Sequence, residues 1–318
     1  MSEKAIDRDG VVIASVSGGK DSAAMCLHLR EHAIPYQAIF ADTGWEHPDT
    51  YQYIREVLEP RIGPITWLRS ERGGMVEWIR HKAMFPSRQA RWCTDELKIV
   101  PIRKHFRQLI DAGHGPITNA VGIRAAESRS RAVLQEREHW HGDARGDLPI
   151  EVWRPLLQWT EQQVIDIHRR HNLRPNPLYL RGAKRIGCWP CIYARKDEIS
   201  LLSRIDVATV NKIRDLEAEV TALARDRARR RSMTAFPVDL TDAELIAVEA
   251  ELRDPQSTRH ERHFFSASDP RPEASKIDRI VEWAHTARGG KQMMMYLDNN
   301  PSGCMRWGLC DVGDGWLP

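Results

Sequence analysis

The chain has 318 residues, with 47 Lys and Arg against 44 Asp and Glu and a net charge of +3. That length allows one large domain, or a domain with a smaller lobe, and 42% hydrophobic residues supply a sizeable core. The near balance of charge gives no global field for a polyanion, so a nucleic-acid partner would need a local patch. No run of about 18 apolar residues occurs, so no membrane span is expected. The polar start MSEKAIDRDG lacks the apolar stretch of a secretory signal. A reducing, cytoplasmic setting is therefore expected, and there six cysteines point to free thiols, metal ligands or redox chemistry.

In chain order, residues 11–16 (VVIASV) are a short β-branched apolar run and read as a buried strand. A glycine loop follows, and AAMCLHLREH then has helical spacing. Residues 36–41 read as a second strand ended by Asp42-Thr43-Gly44, and Pro48-Asp49 opens a helix through about Leu58. Residues 65–68 and 117–123 suggest two further strands. Strands alternating with helices imply a parallel sheet covered on both faces, an open doubly wound α/β fold. Beyond it, residues 160–171 read as a helix with Thr160 as N-cap and Glu161 in the first turn. A proline elbow at Arg174–Pro177 and the pair Cys188/Cys191 follow. Helical patterns then run over 198–230, 241–253 and 275–287, before a tail that carries Cys304 and Cys310. The domain expectation is a nucleotide-binding domain over 1–195 and a helical C-terminal lobe over 196–318.

The string Ser17-Gly18-Gly19-Lys20-Asp21-Ser22 lies between the first strand and the first helix. Two glycines let the backbone turn tightly and bring its N–H groups to an anion, and the helix N-terminus adds partial positive charge. Lys20 can reach a phosphate, and Ser17 and Ser22 can donate hydroxyl hydrogens. Asp21 can orient the loop or hold Mg²⁺ through water. The spacing is not that of a Walker A loop.

That string resembles the pyrophosphate loop of the ATP pyrophosphatase superfamily. Within it, the chain is similar to the phosphoadenosine-phosphosulfate reductase family. Three more segments carry the resemblance: Ala41-Asp42-Thr43-Gly44 with Pro48-Asp49-Thr50; Arg91-Trp92-Cys93-Thr94 with Leu97-Lys98 and Pro101; and Gly122-Ile123-Arg124-Ala125-Ala126-Glu127-Ser128 with Arg131. Together they span about residues 10–195. The resemblance implies an adenine nucleotide alpha hydrolase-like fold and a site for ATP or adenylyl sulfate with Mg²⁺. Its binding residues would be Ser17 to Ser22, Asp42, Thr43, Gly122, Arg124, Glu127, Ser128 and Arg131, with Lys20, Asp21 and Arg124 catalytic. Arg124 and Arg131 are suited to clamp an anion bidentately. A bland alternative for Glu127 and Arg131 is an i,i+4 ion pair on a solvated helix face.

A lone C-x-x-C such as Cys188-Trp189-Pro190-Cys191 fits a metal, a cluster edge or a redox dithiol. The resembling reductases of adenylyl sulfate hold a [4Fe–4S] cluster on a Cys-Cys pair plus C-x-x-C. Here Trp92 stands where the first of the paired cysteines would be. The implied ligands are Cys93, Cys188 and Cys191, with Cys304 or Cys310 as the fourth. Cys26 reads as a buried core thiol. The Arg225–Arg231 run is a solvated helix end or a phosphate-backbone contact.

Two activities follow from the resemblance. One is adenylation with sulfur transfer, as in the adenylating component of DNA phosphorothioation systems, which this chain resembles; nucleic acid and a sulfur-donor protein would be its partners. The other is reduction of adenylyl sulfate or its 3′-phosphorylated form through a C-terminal cysteine. The tail Ser302-Gly303-Cys304-Met305-Arg306 lacks the Glu-Cys-Gly-x-His pattern of the resembling reductases. A nucleotide-binding module without turnover is a third reading.

Overall fold

The computed structural model describes residues 10–140, 148–235, 246, 250, 260–267, 271–286 and 307. The chain divides into two compact units, Met1–Gly74 with Cys93–Trp189 and Asp298–Pro318, and Met75–Trp92 with Pro190–Leu297. A single division at residue 195 would assign Met75–Trp92 and the last 21 residues to the other unit.

The first unit is built on six strands: β1 (Val11–Val16), β2 (Gln37–Asp42), β3 (Ile65–Arg69), β4 (Ile117–Val121), β5 (Arg137–His139) and β6 (Ile150–Trp153). Their order is β3-β2-β1-β4-β6-β5. Every neighbouring pair is parallel except β5 with β6. The expected doubly wound, mostly parallel sheet is what forms.

In β1, Val12, Ala14 and Val16 join one core and Ile13 joins the other, so both faces of the strand are buried. A continuous apolar run is the sequence form of that two-sided burial. One core takes Ala23, Ala24 and Leu27 of the helix Lys20–Glu31 and Val164 and Ile167 of the helix Glu161–Arg170. The other takes Phe106 of the helix Val100–Asp111. Cys26 is fully buried, and burial pushes its thiol up to about 12, which leaves it an inert core group. The helix Glu161–Arg170 starts as expected, with the Thr160 hydroxyl accepting from the Gln163 amide at 3.2 Å.

The sheet reverses direction between β1 and β4. From β1 the chain winds outward through β2 to β3, then returns across β1 to β4. In open α/β sheets, ligands bind beyond the carboxyl ends of the strands at such a switch point. The segments that leave β1 and β4 there are Ser17–Gly19 and Gly122–Arg124.

The second unit is helical: Met75–Lys82, Lys196–Ile205, Val207–Ala235 and Ile277–Ala284. The 198–230 pattern is thus two helices, broken at Asp206, whose carboxylate accepts from the Thr209 amide at 3.0 Å. The buried Glu217 carboxylate accepts from the amides of Phe264 and Ile277, both at 3.1 Å. It so satisfies an N-terminal donor of the helix Ile277–Ala284. The helix expected over 241–253 falls almost wholly outside the described residues, which include only Ile246 and Ala250 of it.

Candidate nucleotide-phosphate site

The glycine string does not remain a loop throughout. Gly19 caps the helix Lys20–Glu31, so Lys20, Asp21 and Ser22 form its first turn. The first amides of a helix have no partner within it and carry the positive end of its dipole. Gly18 has φ +71°, and a Cβ there would lie 2.9 Å from Thr50 Cγ2, so both backbone and space require glycine. The Ser22 hydroxyl accepts from the Ser17 amide at 3.1 Å and donates to the Gly19 carbonyl at 3.0 Å. That pair of bonds ties the turn to the helix it opens. Asn176 fastens the outside of the turn, donating to the Gly18 carbonyl at 3.3 Å and to Thr50 Oγ1 at 3.1 Å.

The chain leaving β4 lies directly against this turn. A Cβ on Gly122 would stand 2.6 Å from the backbone of Asp21 and Ser22, so the two segments touch main chain to main chain. Arg124 is buried and donates its Nε hydrogen to Asp21 Oδ1. Its own amide donates to Glu127 Oε2 at 2.9 Å, and Glu127 pairs with Arg131. Ser128 caps the short turn Arg129–Ala132, its hydroxyl accepting from the Arg131 amide at 3.2 Å. The pair Glu127–Arg131 is therefore present, as the bland alternative expects, and it continues the chain of contacts from Asp21.

Lys20 is 7% exposed and stands between two carboxylates, with Nζ 3.4 Å from Asp21 Oδ2 and 3.3 Å from Glu161 Oε1. Its ammonium also lies 5.0 Å from the centroid of the Tyr179 ring. The Lys20 amide donates to the Tyr179 hydroxyl at 3.1 Å. Burial pushes the Tyr179 phenol up, so it is neutral and accepts that bond. Glu161, Tyr179 and Asn176 are not among the site residues expected from the sequence, where Glu161 figures only in a first helical turn and Asn176 only in the proline elbow. They come from the segment after β6, whose only local signals are the Thr160 cap and the proline elbow.

Residues 11–194 match the phosphoadenosine phosphosulfate reductase domain. The chain belongs to that family. It is 28% identical to the 37.8 kDa protein of the gpa 5′ region of Escherichia phage 186, over 88% of this chain and 90% of that protein. It is 29% identical to the adenosine 5′-phosphosulfate reductase of Allochromatium vinosum, over 61% of this chain and 72% of that protein. It spans about half the length of several further relatives it matches. A crystal structure of phosphoadenylyl-sulfate reductase from Candida auris aligns with 20% identity and a TM-score of 0.45, over 57% of this chain and 82% of that chain.

Within this reductase-family fold, Asp42 and Thr43 at the end of β2 form a second network. The Tyr51 hydroxyl lies 2.8 Å from Asp42 Oδ1 and 2.7 Å from Glu46 Oε2. Thr43 is fully buried and donates to Glu46 Oε1 at 2.6 Å, while the Gly44 amide donates to Asp42 Oδ1 at 2.9 Å. Burial and the two carboxylates push the Tyr51 phenol up, so it keeps its proton between them. Asp42 thus acts as a turn carboxylate, and it also lies 3.4 Å from Arg69 Nε.

Cys188 approaches this second network, with Sγ 3.9 Å from Thr43 Oγ1, and it pairs as a β-bridge with Glu46. Cys93 lies in the turn Trp92–Thr94. Cys93 and Cys188 belong to the first unit and Cys191 to the second, and Cys304 and Cys310 lie outside the described residues. Among the described residues no group of three or more His, Cys, Asp or Glu side chains could hold a metal ion. Of the four thiolates that a [4Fe–4S] cluster requires, the described residues include three of the implied ones, Cys93, Cys188 and Cys191. For Mg²⁺ the requirement differs, because that ion is commonly held by substrate phosphates, waters and only one or two carboxylates. No described helix is long and apolar enough to cross a membrane.

Proposed function

We propose that this family member is an adenine-nucleotide enzyme of sulfur transfer that cleaves ATP between its α and β phosphates. An acceptor oxygen attacks the α-phosphorus, the bond to the β-bridging oxygen breaks, and pyrophosphate leaves. A sulfur nucleophile then displaces AMP from the activated acceptor. The observation that carries the reading is the convergence of Lys20, Arg124 and a helix N-terminus on the switch point between β1 and β4. Those donors suit the charge that gathers on a leaving pyrophosphate. In this reading the amides of Gly19, Asp21 and Ser22 seat phosphate oxygens, Lys20 neutralises them, and Asp21 orients Arg124. Mg²⁺, held chiefly by the phosphates, would supply further charge neutralisation. The setting proposed is the cytoplasm.

A second reading, reduction of adenylyl sulfate or its 3′-phosphorylated form through a C-terminal cysteine, is favoured by the names of relatives such as the Allochromatium vinosum and Proteus mirabilis reductases. In it the same loop and arginine hold the nucleotide while a cysteine thiolate attacks sulfur and AMP, or its 3′-phosphorylated form, leaves; an added dithiol reductant then releases sulfite from the enzyme-bound thiosulfonate. A cluster on Cys93, Cys188, Cys191 and Cys304 or Cys310 remains a proposal from the resemblance, tested by iron and sulfide analysis of anaerobic protein; no step above is routed through it. Pyrophosphate release from ATP with candidate acceptors, run beside sulfite release from adenylyl sulfate, separates the two. ATP-dependent pyrophosphate release lost in Lys20→Ala supports the first reading. Sulfite release without pyrophosphate release replaces it with the second.

A further inference from the structure

The second unit contains a cavity of about 1640 Å³, lined by residues of that unit alone. Ligand pockets for single small molecules usually measure about 300–1,000 Å³, so this space suits a longer molecule. We propose that the cavity binds a single-stranded polynucleotide, with Arg88, Arg227 and Arg262 on its phosphates. The inference stands apart from the reading of the phosphate loop, because every residue it uses lies in the second unit.

Charge is the first argument. Arg227 donates to the carbonyl of Arg80 at 3.5 Å and to that of His81. Arg262 donates to the Glu261 carbonyl at 3.0 Å. The Arg88 guanidinium lies 5.7 Å from the centroid of the Tyr193 ring. Carbonyl oxygens and a neutral ring orient a guanidinium without cancelling its charge. Arg279, also in the lining, shows the contrast, since Glu282 pairs with it at 2.7 Å. Three guanidiniums with neutral partners in one recess make a positive site, and their planar forks match phosphate oxygens.

Shape is the second argument. Phe85 and Phe264, rings edge to face with centroids 5.6 Å apart, are buried beneath the lining, and the aromatic surface is that of Trp283, 38% exposed, with the Lys196 ammonium 4.9 Å from its ring centroid. A positive recess that carries aromatic surface matches the way proteins hold single strands, phosphates on cations and bases on rings. A duplex keeps its bases inside the stack and offers such a recess only phosphates. Arg230, one turn beyond Arg227 on the helix Val207–Ala235, pairs with Asp226 at 2.9 Å, so the positive charge of the site rests on Arg88, Arg227 and Arg262.

The test is fluorescence anisotropy of the full chain with labelled single strands of about 12 nucleotides, one of DNA and one of RNA, at several salt concentrations. The parent protein is expected to bind at least one of them, and the preferred sugar identifies the source. Arg88→Glu/Arg262→Glu should weaken binding at least tenfold and lower the salt slope by about 1.4, at about 0.7 per lost single-strand phosphate contact. Trp283→Ala, at a position 38% exposed, should weaken it several-fold, with a thermal melt checking that the variant is folded. An ATP titration of the double variant reads the first unit separately; unchanged ATP affinity with lost strand binding assigns the effect to the cavity. No strand binding by the parent, equal binding by the double variant, equal affinity for the matching duplex, or displacement of the strand by ATP alone would overturn the proposal.

Discussion

The Lys20 amide donates to the Tyr179 hydroxyl at 3.1 Å, while the ammonium of the same lysine lies 5.0 Å from the centre of the same ring. One aromatic side chain therefore fixes both ends of the residue assigned to the phosphates. Tyr179→Phe removes the hydroxyl and keeps the ring. It should cost about 1–3 kcal/mol of stability, because a buried amide loses its acceptor. ATP affinity should fall only a few-fold, whereas Tyr179→Leu should lose more. Thermal melts and calorimetric titration of the two variants check the order.

Arg124 and Asp21 form a buried ion pair that joins the exits of β4 and β1. Removing one member leaves a buried charge, at about 3–5 kcal/mol for such pairs. Arg124→Gln and Asp21→Asn should each destabilise the fold strongly. The double variant should be more stable than the sum of the two predicts, by a coupling of about 0.5–3 kcal/mol. Denaturant melts of all four proteins measure that coupling, and additive effects would refute a direct pair.

Gly122 meets the backbone of Asp21 and Ser22 with no room for a side chain. Gly122→Ala should cost about 1–3 kcal/mol through overpacking and should widen the gap between the two phosphate-binding segments. ATP affinity is expected to fall with stability. A Gly18→Ala change strains a φ of +71° as well as meeting Thr50, and should be comparably harmful.

His168 is buried beside Trp307, with ring centroids 5.4 Å apart, and its Nδ1 hydrogen is given to the Val164 carbonyl at 2.8 Å. Burial pulls its pKa down to about 4 from an ordinary value near 6.5. Between those values the unfolded chain binds a proton that the folded chain does not, so stability falls as pH drops from about 6.5 to about 4. The full effect is on the order of 3 kcal/mol. A His168→Gln variant should lose that part of the pH dependence, as melting temperatures across the range would record.

Much of this arrangement was legible in the sequence because it is local. The run VVIASV, buried on both faces, and the string of Ser17 to Ser22 announce a strand, a tight turn and a helix start in twelve consecutive residues. Gly122 and Arg124 could be found through a second short motif. What stayed hidden depends on tertiary contact. Tyr179 reaches Lys20 across 159 positions, and neither residue's neighbours signal the meeting. β6 has only four residues and carries a polar Glu151 within IEVW, so no period shows. The helix Met75–Lys82 belongs to the second unit although it precedes β4 in sequence, an exchange between units that no local pattern encodes.

Calorimetric titration of ATP into the parent protein and into Lys20→Ala tests the central claim most directly. The loop reading predicts saturable binding by the parent and a loss of at least tenfold in the variant. Equal affinity of the two proteins for ATP would contradict it.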